Sequence, residues 1–338
     1  MKIEIKKFEK LLVKAASRFV SKKEAEYFSK EHLDTYVKKY PRVNALKTAI
    51  TDLEDWLKNP KKKFIIKADK KASLLIDCNK LAPAVKLKYL HDELEKRAKK
   101  YGISMIGLNN CGGFHTLNVF TDGLGKRDLV GICVYNGGPG GVVAYGGRDG
   151  LFGTNPISYS IPTKKEPIIA DMATSQIPFF ELSQAKKNNK KLKIGAGVNT
   201  KGEPTTDPKE CLTDDGIGRI LPIGGSYKGY IINLLIEVIT GSLVGSLLST
   251  EMSEKYINEE HGGLIIAIDV SSFTSLTKFK KSVTKMCYTV RKQKPAKGVD
   301  KVLIPGDNSY QRKKQLLKTN KIVIDKEVLQ KLKEVTKY

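Results

Sequence analysis

Between Phe64 and Tyr135 the chain alternates short strand-like runs with helix-length segments, and that alternation limits it to folds in which helices cover a sheet. Phe64-Ile65-Ile66, Ser73–Asp77, Ser104–Leu108 and Leu129–Tyr135 are apolar and bounded by turn residues, as strands are. Pro83 suits the first turn of a helix, where its missing amide costs nothing, and Gly102 suits the end, where the backbone turns left-handed. The interval from Leu108 to Leu129 has room for one more helix. The reading is therefore an α/β layer, extended by strand-like runs at 157–161, 167–171 and 264–270.

Both ends of the chain read as helical. Residues 5–20 place Phe8, Leu11, Leu12, Ala15 and Phe19 on one helical face. Ser21-Lys22-Lys23-Glu24 is a capping box opening a helix to about Val37, and Pro41 disfavours its continuation beyond Tyr40. A third helix is expected over 45–57, and Lys-rich helices close the chain around 311–317 and 326–335. No internal repeat or low-complexity tract interrupts this order.

Composition narrows the function classes. Sixty basic against 36 acidic residues give a net charge of +24, which invites a nucleic-acid partner. Only eight of the 60 are Arg, however, and the 52 Lys are scattered without any zinc-finger, basic-heptad or aromatic RNA-binding pattern. Arg supplies the bidentate fork that reads phosphates and bases, whereas Lys is a hydrated point charge, so a solvated Lys-rich surface is the simpler account. The longest apolar stretch, Ile231 to Leu248, carries Asn233, Glu237 and two Gly, short of the roughly 20 clean apolar residues of a membrane span. The N-terminus has no apolar signal core, and the cytoplasm is the expected compartment. Five cysteines without a CxxC pair and four dispersed histidines point to reduced thiols and to no metal site.

Three segments could carry chemistry. Ile168 to Ser175 runs as a strand into Asp171, Met172, Ala173, Thr174 and Ser175; a helix starting near Ser175 would offer free amides and two hydroxyls to a phosphate, or Thr174 and Ser175 would simply cap that helix. Leu221 to Tyr230 sets Gly224, Gly225, Lys228 and Gly229 at the head of a long apolar, buried helix, again suited to an anion; a plain loop with positive φ values is the rival. It lacks the Walker spacing. Leu303 to Asp307 reads as a strand ending in a turn. Seven of the fifteen residues from Asn136 to Gly150 are Gly, which suggests a backbone approaching something closely. No Rossmann fingerprint is present.

Taken in order, Phe152-Gly153-Thr154-Asn155-Pro156, Asp171-Met172-Ala173-Thr174-Ser175, Gly202-Glu203-Pro204-Thr205-Thr206-Asp207-Pro208, Gly224-Gly225 with Tyr227-Lys228-Gly229-Tyr230, and Pro305-Gly306-Asp307 resemble the second, non-Rossmann type of the malate/L-lactate dehydrogenase family. The resemblance covers the chain from about residue 70 onward. It implies an NAD- or NADP-dependent oxidoreductase and a homodimer. It also implies a mixed-sheet cofactor domain at 116–284 and a helical domain built from both chain ends, 1–115 with 285–338. By the family's pattern the coenzyme contacts Asp171 to Ser175, Tyr227, Lys228, Gly306 and Asp307.

Departures from the pattern shape the expected chemistry. The family's Asp-Ser-His-Gly motif, whose His donates a proton to the carbonyl being reduced, is met here by Lys39 to Leu46, with Pro41 at the His position and Ala45 at that of a substrate-binding Arg. A second His is replaced by Gly113. His115 and Lys228 are therefore the candidate acids, and Tyr40, Arg42 and Asn155 the candidate substrate contacts. The expected reaction is reduction of a C=O or C=N bond in a small anionic metabolite, a 2-oxo acid or cyclic imine, because an imine can arrive already protonated. The rivals are a binding or regulatory dimer without catalysis and an enzyme of changed reaction class.

Overall fold

The computed structural model describes residues 2–39, 44–58, 61–114, 116–252, 260–324 and 326–337. Strand β1 (Lys2–Glu4) leads into helices α1 (Ile5–Ala16), α2 (Lys22–Lys39) and α3 (Asn44–Lys58). The capping box forms at the head of α2: Glu24 N donates to Ser21 Oγ, and Ser21 N donates to the Glu24 carboxylate at 3.1 Å. A hairpin of β2 (Ile65–Lys70) and β3 (Ser73–Asp77) follows, then α4 (Leu87–Tyr101), closed by Gly102 at φ 85°. Next come β4 (Ile103–Cys111), α5 (Asn118–Lys126) and β5 (Leu129–Tyr135). The glycine-rich stretch carries β6 (Val142–Val143) and β7 (Gly150–Phe152), and leads to β8 (Ile157–Ile161) and β9 (Ile168–Met172). A small lobe follows, with α6 (Phe179–Lys187), β10 (Gly197–Val198), β11 (Pro204–Thr205) and α7 (Pro208–Cys211). The chain then forms α8 (Tyr227–Thr240), β12 (His261–Asp269), α9 (Leu276–Arg291), α10 (Asp307–Thr319), β13 (Lys321–Val323) and α11 (Lys326–Lys337).

The central sheet has seven strands in the order β2-β3-β4-β12-β5-β8-β9. Only β3 and β4 run parallel, joined by the α4 crossover, and the other neighbours are antiparallel. β4 and β5 do not touch, because β12 inserts between them and sets Ile265 against Ile106 on one side and Cys133 on the other. Glycine at 263 is required there, since a Cβ would strike the Phe114 ring. The largest core lies between this sheet and the terminal helices, with Phe8, Phe28, Leu53, Leu90, Ile106 and Phe120 all buried.

The chain ends close on each other. β1 pairs with β13, α10 packs on α2, and α11 packs on α1 and α3. This is the helical layer built from both ends. The division placed at residues 115 and 285 does not follow the backbone, however: β2, β3 and β4 precede 115 yet share a sheet with β5, β8, β9 and β12, and 285 falls inside α9.

Two elements differ from the sequence reading. Leu303 to Pro305 is not a strand; Pro305 has no amide for a ladder, Gly306 turns at φ 101°, and α10 starts at Asp307. The expected buried helix over 231–248 is instead α8, followed by a 3-10 turn at Ser242–Val244, and the stretch Tyr227–Val244 is apolar and long enough by composition to cross a membrane. Its buried stripe is Gly229, Asn233, Ile236, Glu237 and Thr240, while Ile231, Leu235 and Val238 face outward. The polar residues turn inward because they bond to the loops beneath.

Candidate functional site

Edge strand β9 is where the sequence-predicted segments meet. At its end the Asp171 carboxylate accepts from Asn118 N at 3.3 Å, which ties the strand to the first turn of α5. On its free edge Ile169 N donates to Pro305 O, so the Gly306-Asp307 turn lies against it. Beyond its end Thr174 O accepts from Ile223 N at 2.9 Å, Ser175 bridges to Pro222, and Gln176 N donates to Leu221 O. Asp171–Ser175, Tyr227–Lys228 and Gly306–Asp307 are thus brought to one strand.

The loop entering α8 is shaped for close approach. Gly224 and Gly225 lie in succession at φ 73° and 59°, a left-handed pair that glycine adopts without strain. A Cβ on Gly229 would collide with the Ile223 carbonyl, so glycine there lets the first turn of the helix sit on its own loop. The Ser226 side chain does not cap the helix, which leaves first-turn amides without intrahelical partners. Lys228 is exposed and makes no ion pair among the described residues. Tyr227 is exposed beside it, with the Tyr145 ring 6.2 Å away at an edge-on angle. A cation, helix-start amides and two exposed rings suit the phosphates and flat rings of a dinucleotide, and Met172 is exposed at the end of β9.

The 171–175 segment itself is built differently from the expected helix-start cradle. The next helix, α6, begins only at Phe179 behind Pro178, and the chain from 174 to 176 bends around a single bridge at Ser175. Thr174 N donates to Thr154 O, Thr174 Oγ1 to Asn155 O, and Ser175 Oγ to Ile177 O. Both side chains are buried. Their donors hold the protein together, and only Asp171, Met172 and Ala173 keep exposed surface for a ligand.

Asn155 likewise does not reach solvent. It is fully buried at φ 34°; its Oδ1 accepts from Gly137 N at 3.0 Å, and its Nδ2 donates to the Glu237 carboxylate at 2.7 Å. Glu237 also accepts from Asn136 Nδ2, Ser249 N and Ser249 Oγ, at 3.2, 2.5 and 3.0 Å. Asn233 Nδ2 donates to Gly153 O and to Thr174 Oγ1. This network pins α8 to the glycine-rich loops. The glycines of 136–150 approach protein backbone: a Cβ on Gly150 would collide with the Gly218 carbonyl, and one on Gly137 would come within 3.0 Å of Thr154 N.

On the other side of α5 a buried charge cluster fixes the C-terminal end of α2. Lys38 Nζ lies 2.5 Å from Asp122 and 3.0 Å from Asp34, and 4.9 Å from the centroid of the Tyr310 ring. Lys126 contacts Glu31, Asp34 and Asp122 at 2.9, 3.0 and 3.1 Å, and Lys313 contacts Asp34 at 2.7 Å. Burial opposes ionisation of Asp34, but Lys38, Lys126 and Lys313 outweigh it and hold the carboxyl well below its ordinary range. The three carboxylates are close enough to suggest a cation site, and the lysine ammonium groups fill that role.

Tyr40, Arg42 and His115 lie outside the described residues, as do Pro41 and the side chain of Ala45. Their neighbours are placed: Lys38 stands just before the first pair, and Asn118, tied to Asp171, just after His115. Asp307 caps its own turn, accepting from Ile304 N at 3.0 Å, and pairs with Arg291 at 2.7 and 2.9 Å. The Arg291 hydrogen bonds outweigh burial and keep its carboxyl below the ordinary range. A cavity of about 270 Å³ opens beside this pair, between β9, α9 and α10. Sequence reasoning missed Glu237, Lys38 and Asp122; only an acidic residue within an apolar run hinted at the first, and charged residues on helices carried no signal for the others.

Residues 42–333 match the family model described as malate/L-lactate dehydrogenase. The chain is 34% identical to the malate/(S)-sulfolactate dehydrogenase of Methanothermus fervidus, over 71% of this chain and 68% of that one. It is 35% identical to the Δ1-pyrroline-2-carboxylate/Δ1-piperideine-2-carboxylate reductase of Pseudomonas putida, over 47% of this chain and 45% of that one. The solved sulfolactate dehydrogenase of Methanocaldococcus jannaschii superposes with a TM-score of 0.83 at 27% identity, covering 100% of this chain and 97% of that one. With a family model matched over most of its length and a relative 34% identical over 71% of it, this chain belongs to the malate/L-lactate dehydrogenase family.

Proposed function

We propose that the protein is an NAD(P)-dependent oxidoreductase that reduces the C=O or C=N bond of a small anionic metabolite, a 2-oxo acid or a cyclic imine carboxylate. The observation that carries this reading is the union of Met172–Ala173 with the Tyr227–Lys228 helix start through the Ile223–Thr174 hydrogen bond. Lys228 and the first-turn amides of α8 hold the pyrophosphate; Tyr227 and Tyr145 flank it. Gly306 and Asp307 border the coenzyme from the other side of β9. When bound, NAD(P)H supplies the hydride. The reduced oxygen or nitrogen then needs a proton, a step that a positioned acid typically accelerates by about 10²–10⁴-fold. His115 is the proposed donor, imidazole being the side chain whose ordinary chemistry suits proton transfer near neutral pH. The Lys38–Asp122 ion pair and the Asn118–Asp171 hydrogen bond anchor the described residues that precede Tyr40 and follow His115 in the chain. Arg42 is the proposed partner of the substrate carboxylate.

The working unit is proposed to be a homodimer joined through α8. Ile231 and Leu235, one turn apart on α8, are 55% and 58% exposed, Leu243 in the 3-10 turn beyond it is 66% exposed, and a second copy covers such apolar surface more cheaply than water does. A membrane is the weaker alternative, because Glu237 and Asn233 bond inward to soluble loops. All five cysteines are buried free thiols, which fits a reducing cytoplasm.

A panel of 2-oxo acids and cyclic imine carboxylates, followed by loss of NADH or NADPH absorbance, tests the reading. At least one substrate should consume coenzyme, and His115→Ala should slow it at least about tenfold. Coenzyme that binds without turnover on any member would make the protein a binding dimer instead.

A further inference from the structure

A cavity of about 510 Å³ lies between the terminal helices and the edge of the sheet, far from the coenzyme face. It opens at the N-terminal end of α2, beside Glu24, about 20 Å along the helix from Lys38 at 1.5 Å per residue, and none of Asp171–Ser175, Tyr227, Lys228, Gly306 or Asp307 lines it. One wall is aromatic: the rings of Phe19 and Trp56 lie 6.4 Å apart and those of Trp56 and Phe64 5.8 Å apart, each pair tilted by 49°. Tyr89 and Ile76 also line it.

The rim has the opposite character. Arg18, Lys62, Lys63 and Lys86 surround the opening, against a single carboxylate, Glu24. Glu24 is already paired with Lys86 at 3.2 Å and holds the Ser21 cap. Arg18 spends one guanidinium nitrogen on Val335 O and lies 5.6 Å from the centroid of the Phe19 ring. Lys62 and Lys63 make no ion pair among the described residues. An apolar aromatic wall under uncompensated positive charge selects a ligand with flat apolar rings and a negative end.

We propose that this cavity is a second ligand site, independent of the coenzyme groove, that binds a small planar aromatic carboxylate with its rings on Phe19, Trp56 and Phe64 and its carboxylate toward Lys62 and Lys63. The hydrophobic wall supplies the affinity and the lysines select the anion over a neutral compound of the same shape.

Trp56 is the chain's one tryptophan. Its indole N–H donates to Ala82 O at 3.0 Å, so it gives one indole signal that reports this cavity alone. Titration of ¹⁵N-labelled full-length protein with 2-naphthoate should shift that signal at sub-millimolar concentration, with or without saturating NADH. 2-Naphthalenemethanol, the neutral counterpart, should bind at least about tenfold more weakly, a gap of about 1.4 kcal/mol. The double variant Lys62→Ala/Lys63→Ala should abolish most of that preference while keeping the wild-type indole position in the free protein and the wild-type coenzyme affinity. An indole signal that stays fixed at millimolar naphthoate overturns the proposal. So does equal affinity for acid and alcohol, or loss of naphthoate binding when NADH is added.

Discussion

The Asn155 side-chain amide donates to the Glu237 carboxylate across 2.7 Å, fastening the turn after β7 to the middle of α8. That carboxylate accepts from four donors on three segments, all buried. Glu237→Ala leaves those donors without an acceptor, and a buried unpaired polar group costs about 1–3 kcal/mol. The variant should lose about 3 kcal/mol in guanidinium unfolding, and Glu237→Gln, which keeps one acceptor, should lose less. Equal stability of all three proteins would show that the network contributes nothing.

The outward face of α8 makes a second claim measurable. Sedimentation equilibrium should find a dimer, and Ile231→Glu/Leu235→Glu should convert it to a monomer with unchanged helical content. Both side chains are more than half exposed in the single chain, so the substitutions leave its own core intact. A wild-type monomer at micromolar concentration would remove the dimer.

His91 gives the stability of the fold a pH dependence. Burial lowers its pKa to about 3, against the hydrogen bond to Phe120 O, and Tyr27 OH occupies its other nitrogen at 2.7 Å. In the unfolded chain the ring titrates near 6.5. Above that value it is neutral in both states and its contribution is fully present; as pH falls toward 3 the unfolded chain takes up the proton first and stability drops, by about 1.4 kcal/mol per pH unit. Between pH 7 and pH 4.5 the wild type should therefore lose about 2–3 kcal/mol more than His91→Gln in urea unfolding. Matching losses would place the pH dependence elsewhere.

Local signals in the sequence carried much of the fold. The capping box at Ser21 and Gly102 each fix a backbone conformation by themselves, so the ends they mark could be read directly, whereas Pro83 opens a 3-10 turn over Pro83–Lys86 and α4 begins only at Leu87. β12 could not be placed, because insertion between β4 and β5 depends on pairing with residues more than a hundred positions away. α8 misled for a physical reason: hydropathy reports apolar content, and here the polar stripe is the buried one. The site was legible as segments and less so as atoms. Thr174 and Ser175 read as donors for a ligand, yet Thr154, Asn155 and Ile177 already accept from them. Only the fold shows which hydrogen bonds are taken.

The central claim is that the exposed helix start at Lys228 still clasps a dinucleotide phosphate. Fluorescence titration of the wild type and Lys228→Ala with NADH and NADPH tests it most directly. One of the two coenzymes should bind the wild type below millimolar concentration, and the variant should bind it at least about tenfold more weakly. Failure of both coenzymes to bind at millimolar concentration, or identical binding by the variant, would contradict it.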